Sequence, residues 1–556
     1  MRMAVVRAIQ TQARKSSWYG LSVIAIVFIC SLLIVLQPID FLIRHLKDDC
    51  FYYLKTANNI ALGLGSTFDG INQTNGYHPL WMLNLIPVYW LFPHSPIIAL
   101  RVVLIITAMY HSAAAFILYC IIARNHGLLL GAFLSLAWAL SPFVLRIDLS
   151  GMEAALYTLL LTILIYFITT RFKDNQGNWI IPSDHTKDGI TLGLLMALCI
   201  LARLDAIFIF ISILLVMSIS FITQRRPIRD FSIALMLFIP VALLVGLYLL
   251  FNLVTFGHLY PISGIIKRPD ISTSISDLIV QLLWPIEPIY RRINSFLFIF
   301  ITVFTILSTF IVMISYQVRK FIIYVWKRYD WLWFGVIQIY AYMSLSKAFI
   351  LNWYYVPIIL LPTVASADLI SLISKDISFQ RRARGILLIV SLAFFTVIYS
   401  IIASSEFNPH KNDVTYETMH AAQWVKNNLP EGAIGAAWNA GILSYFSGRQ
   451  IINLDGLVNS YAYYEAMRQG RGPQFVVRQG AKYVFDMYPV PPSNNSSDFF
   501  PGDGWRSYLT PYYEYRYYAH NVGISSYFKT VFPHPELDSM FMFKVWRVAT
   551  QNPPTK

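Results

Sequence analysis

Leu80-Trp81-Met82-Leu83-Asn84-Leu85-Ile86-Pro87-Val88-Tyr89-Trp90-Leu91-Phe92, held between Pro79 and Pro93, is the stretch on which the topology of this chain turns. It is apolar enough to be counted as a membrane crossing. At 1.5 Å per residue, however, a helix of about 13 residues reaches only about 20 Å, against a hydrocarbon core of about 30 Å. That length suits an interfacial helix lying along the membrane. One extra crossing here would invert every later segment.

The chain around it is 56% apolar and 13% charged, with a mean hydropathy of +0.55, which excludes an ordinary soluble protein. Apolar runs are placed near 18–39, 100–123, 128–146, 154–171, 189–204, 206–223, 231–251, 294–316, 331–349, 354–373 and 386–404, about eleven in all. The fold class is therefore a polytopic α-helical membrane protein. The first run is too long for a cleaved signal sequence and shows no small-residue cleavage site before Pro38, so it reads as an uncleaved span. With Arg2, Arg7, Arg14 and Lys15 in the cytoplasm, the clusters at Arg171/Lys173/Lys187, Arg225/Arg226/Arg229, Arg319/Lys320/Lys327/Arg328 and Lys375/Arg381/Arg382/Arg384 all fall on the same side. Counting 80–92 as a crossing would put the Arg225 and Arg381 clusters outside. The net charge of +14 thus reflects topology and gives no reason to expect nucleic acid. The four cysteines have no metal-site spacing and suggest no disulfide framework.

This register gathers the unusual polar residues on the external face. The long first loop, 41–97, holds Asp48-Asp49-Cys50-Phe51-Tyr52-Tyr53 and Thr74-Asn75-Gly76-Tyr77-His78-Pro79-Leu80-Trp81. Asp148 and Ser150-Gly151-Met152-Glu153 fall in the second loop, and Arg203-Leu204-Asp205 at the third. The fourth carries Thr255-Phe256-Gly257-His258 and Lys267, and the fifth Asn352-Trp353-Tyr354-Tyr355. Acids at the mouth of a membrane segment are costly there and mark function. Each has a plainer alternative. Asp48 and Asp49 could decorate a helix N-terminus over 48–62, and Glu153 could cap the next span. Arg203 and Asp205 could satisfy each other. His78 could be packing, and Trp353-Tyr354-Tyr355 an aromatic belt. Lys267-Arg268 and Arg291-Arg292 break the basic-inside pattern and suit an anionic lipid phosphate or a headgroup contact.

Beyond about residue 405 the chain gains Gly, Pro, Tyr and charge and has no spanning run. A helix over 416–428, a strand over 433–437, a helix opened by Trp438-Asn439-Ala440-Gly441 and a strand over 451–454 ending at Asp455-Gly456 predict a small external α/β domain over 405–556. Trp438 could stack on a sugar ring and Asn439 bond its hydroxyls, or the pair could be core and helix cap.

An Asp-Asp pair after the first span, an interfacial helix in the same loop, an acid in the second loop and a soluble external tail together resemble the C-type (GT-C) membrane glycosyltransferases. That superfamily includes protein O-mannosyltransferases, aminoarabinose transferases and arabinofuranosyltransferases; the detailed strings suggest a bacterial branch, at the plasma membrane. The Trp-Trp-Asp motif of oligosaccharyltransferases is absent. The resemblance implies a transmembrane domain over 1–404 and transfer of a sugar, with inversion, from a polyprenyl-phosphate donor to a glycan, lipid or protein acceptor. It implies Asp48 as base, Asp49 as its partner and Glu153 orienting a substrate. Tyr52, Tyr53, Asn75, His78, Arg203, Asp205, His258, Lys267, Trp353, Tyr354, Trp438 and Asn439 would line the substrates, with Lys267, Arg203 or Arg291 facing the phosphate. No cofactor is expected, although an acidic pair can bind a divalent ion. A flippase of polyprenyl-linked glycans or a non-catalytic assembly protein are the rival classes. A flippase calls for charged or broken helices at the bilayer midplane and often for inverted repeats, whereas here the polar residues cluster at span ends.

Overall fold

The structure, a computed structural model, describes residues 2–223, 227–267, 316–345, 354, 356–376, 413–490, 505, 508–519 and 539–548. Among these, six helices are long and apolar enough to cross a membrane: Ser17–Val35, Pro96–His126, Ala154–Arg171, His185–Ala202, Leu204–Thr223 and Ser232–Phe256. The expected spans at 331–349 and 354–373 are not among these six, that at 128–146 is a bent pair, and that at 386–404 with nearly all of 294–316 lies outside the described residues, so the count of eleven is not reached.

The first helix, α1 (Arg2–Val35), stops before Pro38 and is followed by α2 (Ile39–His45), α3 (Asp48–Ala61) and α4 (Pro79–Leu91). Acids in the first turn of α3 suit its dipole. Between α3 and α4 the loop is folded by a Thr67–Gln73 bridge and by Asp69, whose carboxylate accepts the N–H groups of Ile71 (2.8 Å) and Asn72 (2.7 Å). The decisive segment is a helix of 13 residues. It buries Trp81, Met82, Leu85, Val88 and Tyr89 and leaves Leu83, Trp90 and Leu91 more than 60% exposed, an uncovered apolar face.

Next come α5 (Pro96–His126), α6 (Leu128–Ala139) and α7 (Pro142–Asp148). The single span expected over 128–146 is instead a pair bent by 65°. Pro142 has no N–H with which to continue α6. The break is stitched by His111, whose Nδ1 lies 2.7 Å from Asp148 Oδ2 and Nε2 2.9 Å from the Ala139 carbonyl. Asp148, expected in a loop, is therefore buried in the bundle, and its other oxygen accepts from Thr158 Oγ1 at 2.9 Å.

α8 (Ala154–Arg171), α9 (His185–Ala202), α10 (Ile207–Thr223) and α11 (Pro227–Phe256) continue the bundle, and α12 (Ile262–Ile266) follows a short turn. α13 (Tyr316–Leu345) corrects the sequence reading, because the basic stretch expected as a loop is helical with a kink at Tyr329 (φ −121°, ψ 21°). α14 (Val356–Asp376) completes the described bundle, with a short apolar stretch at Ile359–Asp368.

The C-terminal region has the expected alternation: α15 (Asp413–Asn428), β1 (Ile434–Ala437), α16 (Ala440–Ser447), β2 (Gln450–Asn453), α17 (Tyr461–Arg468), α18 (Gly472–Arg478), β3 (Ala481–Val490), β4 (Leu509–Ala519) and β5 (Ser539–Val548). The sheet order is β2-β1-β3-β5-β4, parallel across the first three strands and antiparallel across the last three. This unit is docked on α2–α4. Thr415 Oγ1 donates to the Ile43 carbonyl (2.9 Å), Arg44 lies over the Tyr416 ring, and Phe51 packs on Tyr445 and Phe446. Tyr445 donates to the Pro96 carbonyl (2.6 Å) while accepting from Tyr89 (2.8 Å).

Candidate active site

α3 carries the acids, and its periodicity sorts them. Successive residues of a helix are about 100° apart, so Asp48 and Tyr52 share one face while Asp49 and Tyr53 share the next.

The Asp48/Tyr52 face meets the C-terminal domain. Asp48 Oδ2 accepts the N–H of Gly441 at 2.9 Å and Oδ1 that of Ile442 at 2.7 Å. These are orphan amides in the first turn of α16, which the preceding side chain would ordinarily cap. Asn439 makes no such bond, and a carboxylate from far along the chain replaces it. The approach requires glycine, since a Cβ at Gly441 would lie 2.3 Å from the Asp48 carbonyl oxygen. Burial pushes the Asp48 carboxyl up to about 7 against the two amide bonds, with Asp49 and Asp455 pushing the same way. Tyr52 donates to Asp455 Oδ2 at 2.8 Å, and burial together with Asp455 holds its hydroxyl well above the usual range.

The Asp49/Tyr53 face meets the bundle. Asp49 is half-buried and makes no hydrogen bond among the described residues. Burial and the Glu153 carboxylate raise the Tyr53 hydroxyl. Glu153 is 1% exposed; its Oε1 stands 3.7 Å from His78 Nε2 and 3.9 Å from Arg203, beyond hydrogen-bond range, and its Oε2 has no partner among the described residues. His78 Nδ1 is a second buried orphan, on a ring whose pKa burial lowers. Arg203 forms a fork on Asp205, Nε to Oδ1 and Nη2 to Oδ2, each at 3.0 Å, so the plainer reading of that pair describes its geometry. Its guanidinium also lies over Tyr354, 4.5 Å from the ring centroid. The Lys267 pKa is raised: burial pulls it down, and Tyr354, Asp49 and Glu153 more than offset that.

Other expected residues are placed differently. Asn75 is a buried clamp, accepting from the Ile262 N–H at 2.9 Å and donating to Asn252 Oδ1 at 3.3 Å, so its polar groups are spent on the protein. His258 stacks on Tyr461, ring centroids 3.8 Å apart, joining the turn after α11 to the C-terminal domain. Trp438 packs edge-on against Trp505, and Asn439 adopts a left-handed backbone (φ 46°). Trp353, like Arg268, Arg291 and Arg292, lies outside the described residues. Asp455, two residues past β2, went unassigned in the sequence; its signal was an acid at the carboxyl end of a parallel strand. Among the described residues no group of three or more His, Cys, Asp or Glu side chains is arranged to hold a metal ion.

The helical bundle, with its acid-bearing first loop, short apolar helix and docked C-terminal sheet, is similar in fold to a solved membrane-protein structure. ArnT from Cupriavidus metallidurans bound to undecaprenyl phosphate matches with a TM-score of 0.52 at 12% identity, over 94% of this chain and 97% of that one. The same protein in its apo state gives 0.47 at 10% identity, over 96% and 98%. Oligosaccharyltransferase AglB from Archaeoglobus fulgidus, in complex with an inhibitory peptide and a dolichol-phosphate, gives 0.46 at 14% identity, over 84% and 69%. Residues 408–522 match the family model of a domain of unknown function, DUF8728. No curated protein matches the chain by sequence.

Proposed function

We propose that this protein is a membrane glycosyltransferase that moves a sugar from a polyprenyl-phosphate donor to a glycan, lipid or protein acceptor. The observation that carries this reading is the Asp49 face of α3, where a carboxylate with no hydrogen bond among the described residues stands within electrostatic reach of Lys267. The fold supports the donor class, since ArnT holds undecaprenyl phosphate.

Asp49 replaces Asp48 as the proposed base. Both Asp48 oxygens are engaged by α16, whereas Asp49 is left to meet a substrate. The acceptor hydroxyl proton passes to Asp49 as the acceptor oxygen bonds to the anomeric carbon from the side opposite the phosphate. The carbon–oxygen bond to the phosphate breaks, its electron pair leaves with the polyprenyl phosphate, and the anomeric centre inverts. Lys267 neutralises the phosphate. The unpartnered oxygen of Glu153 and Nδ1 of His78 take hydroxyls of the bound sugar. No cofactor is needed in this scheme; a divalent ion at Asp48/Asp49 is the alternative, and loss of turnover in chelator would favour it.

The site belongs to the external end of a bundle in a bacterial plasma membrane, with the division at about residue 405. Arg171 and Lys173 at the opposite end support that orientation. In a cysteine-free background, Leu64→Cys should react with an impermeant thiol reagent from outside and Ser183→Cys only after permeabilisation; the reverse would turn the site to the cytoplasm. The function itself is tested on purified full-length protein with a panel of polyprenyl-phosphate sugars. Asp49→Asn should lower turnover at least about 10²-fold with the melting temperature unchanged, and wild-type turnover in that variant would sink the assignment.

A further inference from the structure

The parallel part of the C-terminal sheet runs β2-β1-β3, so the chain leaves β1 to one side and returns on the other. In open α/β sheets the crevice at such a switch, outside the carboxyl ends of the strands, is where ligands sit. Here α3 fills it. Asp455 lies in the loop after β2, and its Oδ2 gathers three donors: Tyr52 Oη from α3 (2.8 Å), the Asn439 N–H from the loop after β1 (2.9 Å) and Asn453 Nδ2 (3.2 Å). Asn453 Nδ2 also reaches Tyr52 Oη at 3.2 Å. The Asn439 N–H is aimed by a left-handed backbone, adopted by no other non-glycine residue among those described. A second close approach locks the same junction: a Cβ on Gly76 would fall 1.9 Å from the Leu457 carbonyl oxygen.

We infer that Asp455 is a positioning residue for sugar transfer: by holding the Tyr52 hydroxyl it fixes the rotation of α3 about its axis and thereby the place of the Asp49 carboxylate. The domain matched by DUF8728 then completes the transmembrane site, rather than serving only to present an acceptor. Tyr52 is four residues from Asp48 and three from Asp49, on the same two turns, so a rotation that frees Tyr52 displaces both acids. This inference rests on the reading of Asp49 as base.

The test uses full-length protein in detergent, with Asp455→Ala, Tyr52→Phe and the double variant. Turnover is measured on the panel of polyprenyl-phosphate sugars, and amide exchange over residues 49–56 is followed by mass spectrometry. Each single variant should lower kcat about 10-fold with KM little changed, because a small misplacement of a reacting group is costly. The double variant should be no worse than the poorer single one, and exchange over 49–56 should quicken in all three. Multiplying losses in the double variant, a raised KM with kcat kept, or wild-type kcat and exchange in Asp455→Ala would each overturn the proposal. If the wild-type protein transfers no sugar from the panel, the transferase reading fails instead. Exchange then decides the Asp455–Tyr52 coupling alone: quickened exchange supports it and unchanged exchange overturns it.

Discussion

Two buried carboxylates, Asp330 and Glu153, lie at opposite ends of the helix bundle and are treated differently. Asp330 is saturated. Lys173 Nζ donates to both its oxygens at 2.9 and 3.0 Å, Trp179 Nε1 to one at 3.0 Å and the Trp331 N–H to the other at 2.8 Å. Lys173 spends its third proton on the Lys327 carbonyl at 2.6 Å. Glu153 has the His78 ring at 3.7 Å, whose pKa burial lowers, the Arg203 guanidinium at 3.9 Å, an oxygen without a partner among the described residues, and almost no exposure. A buried charge with every lone pair met is holding helices together; one left half-met gains from a ligand that brings hydroxyls.

The largest effect should come at the saturated end. Lys173→Met leaves Asp330 buried and uncompensated, so it should cost about 3–5 kcal/mol of stability, read as a lower melting temperature in detergent. Binding of undecaprenyl phosphate to the protein that remains folded should be unchanged. A loss of binding without a loss of stability would erase the contrast between the two ends. At the other end, Glu153→Gln should lower turnover about 10-fold, the order of one hydrogen bond to substrate, with melting temperature little changed because Arg203 keeps its fork on Asp205. A marked drop in melting temperature would make Glu153 structural, like Asp330.

The smallest effect sharpens the difference between Asp48 and Asp49. The Asp48 carboxyl is raised from an ordinary 3.8 to about 7. A raised carboxyl pKa means that the folded protein holds a proton the unfolded chain has already released. The contribution of Asp48 to stability is therefore fully present below the ordinary value and is lost as pH rises through about 7. Wild-type melting temperature should fall between pH 5 and pH 8 more steeply than that of Asp48→Asn, by a few degrees at most. Parallel curves would show that Asp48 does not titrate in this window.

Much of the fold was legible. The six long apolar helices follow from hydropathy and length, and the 80–92 segment is the short apolar helix that its flanking prolines bound. The bend after Ala139 was legible only in part: Pro142 stood in the sequence, but the His111 side chain that reaches the freed carbonyl comes from another helix. The α13 helix was misread because basic residues were taken as a loop signal, whereas Lys327 and Arg328 are accommodated on a helix whose Asp330 turns inward to Lys173. The acid pair was found because adjacent carboxylates beside an apolar run are conspicuous. Which acid the C-terminal domain engages was not, since Asp48 and Asp49 differ only by the 100° between neighbouring helical residues.

By itself the sequence determined that the chain crosses a membrane repeatedly, that Asp48, Asp49 and Glu153 stand beside the ends of apolar runs, and that a small α/β unit follows. These are local properties, set by hydropathy over about 20 residues and by the alternation of strand and helix signals. Only the tertiary structure decided that Asp48 caps a helix some 390 residues away (at Gly441 and Ile442), that Tyr52 belongs to Asp455, and that one Glu153 oxygen has no partner among the described residues. The reason is physical: a buried polar group's role depends on which partners reach it, and those partners are brought by folding from distant parts of the chain.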